Sequence, residues 1–312
     1  MNNAACTFDS GSKALPGAAA LEACQLSFCY GTNPAAVDTI SVGFNIGEVT
    51  MIVGPNGSGK STLLQLLLGH LSPTSGKVAV RGRHLRDIHP LDRAMLMSYV
   101  PQTPQVSFAY TVRELVAMGR WARQQRTAPV RENAADGSGG AAVSIGTVSA
   151  SPGSDKTDNA QMIQAMWDMD VHALVDRTFD ELSAGERQRV ALARAIAQDA
   201  PIMLLDEPTS ALDIRHQLEL ICYITNLARC HGKTVIWVTH DLNSARAHAD
   251  KILILHQGKV AAHGVPNMVL TPEILEPIYG VRVEVRDEML RFSPRLDRTS
   301  LSQVQAGART KE

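Results

Sequence analysis

The sequence has almost no net charge, few aromatic residues and no apolar run long enough to cross a membrane. Thirty basic residues stand against thirty-one acidic ones, so the formal net charge is -1. Because a nucleic-acid backbone is held by an excess of positive charge, this balance excludes a global electrostatic field for DNA or RNA and leaves only a local patch open. Apolar runs such as "VTMIV" and "LLQLLLG" are far shorter than the ~20 residues that span a bilayer.

Targeting and disulfide signals are also missing. The sequence does not begin with the charged and apolar regions of a signal peptide, so we expect a cytoplasmic chain that reaches a membrane only through a partner. The cysteines are odd in number and form neither a CxxC pair nor a His/Cys cluster at zinc spacing. We expect free thiols in a reducing compartment. They are Cys6, Cys24, Cys29, Cys222 and Cys230.

The order of strand-like and helix-like segments predicts a mainly parallel α/β fold. Residues 1–20 are rich in Ala, Gly, Ser and Asn and are expected to form a loose tail. From Leu21 the apolar pattern alternates as in half-buried antiparallel strands. Continuous apolar strands and helical stretches follow in alternation, which is typical of parallel α/β cores. The predicted strands are 49–53, 77–80, 96–100, 202–206 and 234–240. Helical periodicity is found at 111–122, 160–176 and 186–198.

One segment interrupts this pattern. Residues 123–160 have no aromatic side chain, little apolar content and many Gly, Ser and Ala residues. Such a composition predicts a flexible surface insertion. The chain after about Phe292 is polar and carries no clear signal.

The strongest chemical signal is "GPNGSGKST", which fits the P-loop pattern G-x-x-x-x-G-K-[ST] between an apolar strand and a helix. In this pattern the glycines turn backbone N–H groups toward phosphates, the lysine reaches the terminal phosphates and the hydroxyl of Ser61 is a ligand for Mg²⁺. The alternative is a glycine-rich turn that only joins strand to helix. The residues are Gly54, Pro55, Asn56, Gly57, Ser58, Gly59, Lys60, Ser61 and Thr62.

Polar residues at the ends of other predicted strands extend this site. Asp206 ends "IMLLD" and suits Mg²⁺, while Glu207 is placed to accept a proton from an attacking water. His240 ends the last core strand, where it would contact the γ-phosphate or position the water. Gln102 in "VPQ" offers an amide oxygen to Mg²⁺ and to the water, and Tyr30 in "SFCYG" offers a ring that stacks on adenine. Each of these residues also has a purely structural alternative. Asp206 and Glu207 would form an acidic capping turn, His240 a structural histidine, Gln102 a surface amide and Tyr30 an aromatic packed at a strand end.

The stretch "ELSAGERQRV", residues 181–190, carries a capping box in which Ser183 and Glu186 satisfy backbone donors of the first helical turn. Small residues at Ala184 and Gly185 leave the N–H groups of that turn accessible. A helix N-terminus of this kind also attracts anions.

These motifs, together with "SALD" and "VTH", occur in the order found in the ATP-binding subunits of ABC transporters, which the chain resembles over about residues 21–285. The resemblance makes Tyr30 the adenine-stacking aromatic, Gln102 the Q-loop, Asp206 and Glu207 the Walker B pair, and Asp213 the D-loop. Residues Ser183, Ala184, Gly185 and Glu186 match the signature, and His240 matches the switch histidine. The usual signature reads LSGGQ or LSGGE, so Ala184 replaces its first glycine, with a modest effect expected unless the position needs a positive φ.

The resemblance implies a P-loop NTPase with a RecA-like α/β core, an antiparallel β subdomain and an inserted helical subdomain at about 103–195. Beyond the part that the resemblance covers, we predict a C-terminal tail at 286–312. It implies ATP as substrate, Mg²⁺ as cofactor, and a homodimer in which the signature of one subunit faces the P-loop of the other. It also implies integral membrane permease subunits as partners, an indirectly linked periplasmic or surface substrate-binding protein, and a peripheral position on the cytoplasmic face of the inner membrane.

Cargo is indicated only by kinship. "TVRELVAMGR", "ERQRVALARAIAQ" and "TPEILEPIYGVRVEV" resemble importers of iron(III) siderophores, haem or cobalamin. A soluble ABC ATPase acting in translation or DNA repair is the alternative, but such proteins tend to carry two cores, long heptad arms or a basic face. A P-loop kinase or GTPase gives no role to the signature or to His240. We therefore predict an import ATPase that binds no nucleic acid.

Overall fold

A computed structural model describes residues 19–31, 34–127, 156–286 and 289–294. These residues form two compact units, one containing the described residues up to His84 and from Ile236 onward, and the other containing Leu85–Val235. Among the helices of the described residues, none combines the length and apolar character that a membrane-spanning helix requires. The cysteines in the described ranges are free thiols, as predicted; Cys6 lies outside those ranges.

The strands are, in chain order, β1 (Ala19–Cys29), β2 (Ala35–Asn45), β3 (Val49–Val53), β4 (Ser75–Val80), β5 (Arg83–His84), β6 (Met97–Val100), β7 (Ile202–Asp206), β8 (Thr234–Val238), β9 (Lys251–His256), β10 (Lys259–Gly264), β11 (Val281–Arg286) and β12 (Met289–Pro294). The α-helices are α1 (Lys60–Leu68), α2 (Pro90–Leu96), α3 (Val112–Met118), α4 (Trp121–Thr127), α5 (Lys156–Asp168), α6 (Ala184–Gln198), α7 (Ile214–His231), α8 (Leu242–His248), α9 (Pro266–Val269) and α10 (Pro272–Tyr279).

The first unit contains an antiparallel sheet in the order β2-β1-β4-β5. Its apolar alternation places Leu21 opposite Phe44 and Leu26 opposite Ile40, and these four side chains are fully buried. The alternation therefore buries one face of the strand pair, as the sequence predicts.

The same unit holds β3, which runs parallel to β9, while β9 pairs with β10 in the antiparallel direction. All five residues of β3 are buried, because a parallel strand covered on both faces needs a continuous apolar run. Helix α1 follows β3 and buries an apolar face with Leu63, Leu64 and Leu67. This strand-turn-helix unit positions the P-loop.

The second unit combines a parallel strand pair with a group of helices. β6 runs parallel to β7, with Val100 opposite Leu205. Helices α3 and α5 pack against α6, which buries Val190 and Leu192 among others. The guanidinium of Arg120 is buried and donates to the carbonyl of Ala197, which attaches the end of α3 to the end of α6.

Three boundaries differ from the sequence predictions. Ala20 is buried in β1, so this strand begins before Leu21 and includes the end of the predicted tail 1–20. Helices α4 and α5 extend into the ends of the predicted insertion 123–160, and the rest of it, 128–155, lies outside the described residues. The tail predicted at 286–312 is wrong at its start, because β12 pairs along β11 and buries Leu290. The predicted helical subdomain at 103–195 falls within the second unit.

Candidate functional site

The P-loop of the first unit turns sharply between β3 and α1. Gly54, Gly57 and Gly59 have positive φ angles of 153°, 75° and 98°. A Cβ atom at Gly54 would overlap the carbonyl oxygen of Leu255, and one at Gly59 would overlap that of Ala36. These two glycines are therefore needed both for the turn and for the close approach of neighbouring backbone.

Lys60 begins α1 and folds back over its own loop. Its ammonium donates to the carbonyl of Gly54 at 2.8 Å and to that of Pro55 at 2.9 Å. The side chain is 6% exposed, so these carbonyls replace water around the charge. The loop is thus closed around the ammonium of Lys60.

The other P-loop residues differ in exposure. Asn56, Gly57 and Ser61 are exposed, whereas Ser58 is buried and its hydroxyl has no hydrogen-bond partner within the described residues. Thr62 is half-buried, and its Oγ1 lies 3.4 Å from the phenol oxygen of Tyr30. The structure therefore brings the predicted adenine-stacking ring to the start of α1.

Tyr30 itself is 49% exposed and meets Phe28 edge to face at 4.8 Å between ring centroids. One side of the ring is fixed by this contact while half of its surface stays open to a ligand. Packing of Tyr30 against Phe28 is therefore compatible with stacking of its open face on an adenine ring.

His240 follows β8 in the first unit and is exposed. Its neighbours are both fixed: the Thr239 N–H donates to the carbonyl of Ile52 in β3, and Asp241 caps α8 by accepting from the N–H groups of Asn243 and Ser244. The backbone of His240 is thereby held beside the end of β3, the strand that leads into the P-loop.

Sequence reasoning missed Tyr279, the last residue of α10. Burial raises the pKa of its phenol to about 12, against the opposing effect of a hydrogen bond from the backbone of Gly54. Tyr279 lies within "TPEILEPIYGVRVEV", but no local pattern marks its contact with the P-loop, because that contact joins residues that are far apart in the sequence.

In the second unit, the candidate catalytic residues lie at the ends of β6 and β7. The Gln102 amide donates from Nε2 to Oε2 of Glu207 at 2.9 Å, so two residues predicted to act on the same water are joined directly. Asp206, the last residue of β7, is 5% exposed. Glu207 has a φ of 46°, a left-handed conformation that is costly for a non-glycine residue and recurs at functional sites.

The turn after Glu207 stabilises that unusual backbone. The carbonyl of Glu207 accepts from the Ser210 N–H at 3.1 Å and from the Ser210 hydroxyl at 2.9 Å. These bonds hold the carboxylate-bearing residue in its left-handed conformation.

The predicted capping box at the signature is confirmed. Ser183 is the N-cap of α6: its N–H and hydroxyl both donate to Oε2 of Glu186 at 2.8 Å, and its Oγ accepts from the Glu186 N–H at 3.3 Å. Hydrogen bonds from the backbone and then the side chain of Ser183 lower the pKa of Glu186.

Ala184 and Gly185 form the first helical positions after this cap. Ala184 is exposed and has no positive φ, so alanine fits the conformation that the sequence left in question. Gly185 is more constrained, because a Cβ atom there would lie 3.0 Å from the carbonyl oxygen of Ala211.

Asp213, the predicted D-loop residue, is the N-cap of α7. One carboxylate oxygen accepts from the His216 N–H at 2.9 Å and the other lies 2.8 Å from Nδ1 of the same residue. These hydrogen bonds lower the pKa of Asp213. No motif in the sequence marks His216 as a contact of Asp213.

A groove in the second unit lies next to Gln102 in the sequence. It is apolar except for Gln105 and the guanidinium of Arg194, whose pKa is lowered by burial. Within the described residues, no atom accepts a hydrogen bond from the Arg194 side chain. The lining residues are Pro101, Pro104, Gln105, Val106, Leu115, Phe179, Val190, Ala191 and Arg194.

A glycine-rich loop closed by a buried lysine before a helix, with a buried Asp and a strained Glu at another strand end, defines a P-loop NTPase of the α/β class. Comparisons with known proteins narrow this class. The family described as ABC transporter matches residues 37–210. The chain therefore belongs to the ABC transporter family, as an ATP-binding import subunit and an ATPase coupled to transport.

Relatives and a solved structure agree with this family. The hemin import ATP-binding protein HmuV of Nocardia farcinica is 41% identical over 82% of this chain and 81% of that protein. The ferric enterobactin transport ATP-binding protein FepC of Escherichia coli K12 is 34% identical over 86% of this chain and 90% of that protein. A metal-chelate type ABC transporter solved in an inward-facing conformation has a TM-score of 0.67 at 30% identity, covering 91% of this chain and 100% of that chain.

Proposed function

We propose that two copies of this chain hydrolyse Mg²⁺-bound ATP at the cytoplasmic face of the inner membrane and thereby energise import of haem through a membrane permease. The observation that carries the catalytic part is the hydrogen bond between Gln102 and Glu207. It joins an amide suited to a water and a carboxylate suited to receive its proton, in a segment of strained backbone.

In this proposal the P-loop binds the phosphates of ATP. The N–H groups of the loop and the start of α1 face the phosphates, and Lys60 leaves the carbonyls of Gly54 and Pro55 to contact the terminal phosphates. Tyr30 stacks on adenine with its open face. His240 contacts the γ-phosphate and helps to position the water.

Glu207 is the general base. It accepts a proton from water as the water oxygen bonds to the γ-phosphorus and the bond to the ADP oxygen breaks, which yields ADP and phosphate. Gln102 orients both the carboxylate and the water.

The donors present fit Mg²⁺. The hydroxyl of Ser61, the amide oxygen of Gln102 and the carboxylate of Asp206 are hard oxygen ligands of the kind that this ion takes. Mg²⁺ usually adds phosphate oxygens and waters to one or two carboxylates, and Asp206 would supply one such carboxylate. The bound ion would neutralise charge that develops on the phosphates.

The signature acts on the ATP of the other copy. Ser183 and the N–H of Gly185 lie at the N-terminus of α6, a helix of 15 residues. This terminus is capped, but Ser183 and Ala184 are exposed there. An anion is stabilised at such a position. Asp213 lies in the same dimer contact.

The groove lined by Val106, Phe179 and Arg194 is the proposed docking site for the permease. Its apolar walls suit a short helix. The half-buried guanidinium of Arg194, for which the described residues supply no acceptor, suits the carboxylate or terminal carbonyls of that helix. A substrate-binding protein would act through the permease.

Haem is proposed as cargo because identity is 41% to the hemin subunit and 34% to the ferric enterobactin subunit. Hemin-dependent growth of a host whose own haem ATPase is deleted tests this choice, with a ferric siderophore as the second iron source. Rescue on the siderophore alone would assign the chain to that cargo instead.

The catalytic proposal is tested by ATP hydrolysis of the purified chain. Glu207→Gln should lower turnover by at least about 100-fold while ATP binding persists, because general bases contribute roughly 10²–10⁴ in rate. Glu219→Gln is the matched control, since Glu219 is an exposed carboxylate on α7 whose ion-pair partner within the described residues is Arg215. Wild-type turnover in Glu207→Gln would remove Glu207 as the base.

A further inference from the structure

The signature helix α6 and the D-loop meet at two points on one face of α6. Gly185 faces the carbonyl oxygen of Ala211 closely enough that a Cβ atom would be 3.0 Å away. Arg189, four residues later and therefore on the same face, places Nη1 2.7 Å from Nε2 of His216. The loop that ends at Asp213 and the first turn of α7 thus follow one side of the signature helix.

The distances fix the proton positions on His216. A guanidinium has no acceptor, so Arg189 must donate and Nε2 of His216 must accept. Nδ1 then carries the ring proton that is donated to Oδ2 of Asp213 at 2.8 Å. Arg189 also donates to Oδ2 of Asp170 at 3.0 Å, which lies 3.7 Å from Nε2 of His216.

Limited exposure makes this chain of hydrogen bonds effective. The side chains of His216 and Arg189 are 20% and 14% exposed. Partial removal of water strengthens polar contacts, and a network of this kind holds its members in one arrangement. Within the described residues, the imidazole of His216 contacts both Arg189 and Asp213 and so connects the two side chains.

We propose that His216 is a positioning residue that sets the D-loop carboxylate of Asp213 relative to the signature turn of the same subunit. This inference rests on the proposed function, in which both the signature and Asp213 act at the ATP held by the other copy. A shift of α6 would be transmitted through Arg189 and His216 to Asp213, so that both elements approach that nucleotide together.

Two isosteric variants separate the two ends of the imidazole. His216→Asn (H216N) keeps an N–H near the Nδ1 position, but its shorter side chain places no acceptor at the Nε2 position that faces Arg189. H216Q keeps an acceptor near the Nε2 position but removes the side-chain donor to Asp213. Both variants retain the backbone N–H that caps α7, so a loss of helix capping is not the cause of their defects.

Each variant should lower kcat for ATP by about tenfold, the effect of one hydrogen bond to a charged group, while KM changes less than about twofold. Arg189→Gln should give the same loss, and combining it with H216N should cause no further loss because both changes break one connection. Arg189→Lys, which keeps a donor, should recover most of the rate. His231→Gln, at the far end of α7, is the control and should match the wild type.

The proposal would be overturned if the losses of kcat in Arg189→Gln and H216N multiplied in the double variant. A wild-type kcat in both H216N and H216Q would overturn it as well. Thermal unfolding of each variant identifies a folding defect. Nitrogen NMR of the wild-type His216 ring gives a second measurement, in which we expect a protonated Nδ1 and an unprotonated Nε2. The opposite tautomer would refute the hydrogen bond from Arg189 to His216. Failure of the proposed function looks different, because the wild-type chain would then hydrolyse no ATP or Glu207→Gln would keep full turnover.

Discussion

Replacing Ser183 by alanine separates the two roles of the signature turn. Ser183 caps its own helix, and we propose that it also binds the phosphate held by the other copy. The chain supplies a matched control in Thr111, which caps α3 with the same geometry. Its N–H and hydroxyl donate to Oε2 of Glu114 at 2.8 and 2.9 Å, and its Oγ1 accepts from the Glu114 N–H at 3.3 Å.

The expected loss of stability is small and nearly equal for the two changes. Alanine at an N-cap costs ~1 kcal/mol. Because the backbone N–H of residue 183 would still donate to Glu186, half of the box survives and the cost should fall in the lower half of the usual range. For a unit of roughly 150–250 residues this lowers Tm by about 1–4 °C. Thr111→Ala should do the same through Glu114.

The expected loss of activity is large for one change alone. A hydrogen bond to a charged group is worth about 1.5–3 kcal/mol, so its loss in the transition state lowers kcat roughly 10- to 150-fold. Ser183→Ala should show this decrease at saturating ATP, and Thr111→Ala should keep near wild-type turnover. Equal turnover in both variants, whether lowered or normal, would show that Ser183 serves only its own helix.

The remaining predictions concern assembly, pH and docking. A mixture of Lys60→Ala and Ser183→Arg chains should form mixed dimers with one intact composite site that binds one ATP per dimer; absence of bound ATP in those dimers would contradict head-to-tail pairing. Cap hydrogen bonds lower the pKa of Glu114 and Glu186. Their contribution to stability is therefore present above the ordinary carboxyl pKa of about 4.3 and is lost as the pH falls below it. The Tm of the Glu186→Gln variant should depend less on acid pH than the Tm of the wild type. Arg194→Met should weaken co-purification with the permease but leave basal ATPase intact, and unchanged co-purification would remove Arg194 from the docking site.

Local features of the fold could be predicted from the sequence. The apolar run Val49–Val53 is a buried parallel strand, and Ile202–Asp206 is another, with the bounds that the pattern indicates. The capping box at Ser183 was equally predictable. In each case the interactions that determine the structure lie within a few residues of one another, so periodicity or a short motif records them.

Long-range contacts could not be predicted in this way. Gln102 and Glu207 are joined across 105 positions, and Arg189 meets His216 across 27. Tertiary packing decides these pairs, and no local pattern states which polar side chains will meet. The left-handed φ of Glu207 is likewise invisible in "LLDEP", since glutamate gives no sign of a positive φ.

The C-terminal hairpin was missed for a different reason. β11 and β12 are short, and only Val283 and Leu290 are buried in them. One buried side chain per strand gives too weak an alternation to distinguish a hairpin from a polar tail. The side chain of Asn243 attaches this hairpin to α8 by exchanging hydrogen bonds with the backbone of Leu290 at 2.7 and 3.2 Å.

The two small residues of the signature turn are not equivalent, and the structure explains why alanine is found at only one of them. The methyl group of Ala184 belongs to an exposed first helical residue with ordinary helical backbone, so it costs nothing in space or conformation. Gly185 faces the carbonyl of Ala211, where an added Cβ would be tighter than an ordinary contact. The glycine that the turn requires is therefore the one that lies against the D-loop, and close packing between these two elements within one subunit is the constraint that keeps it.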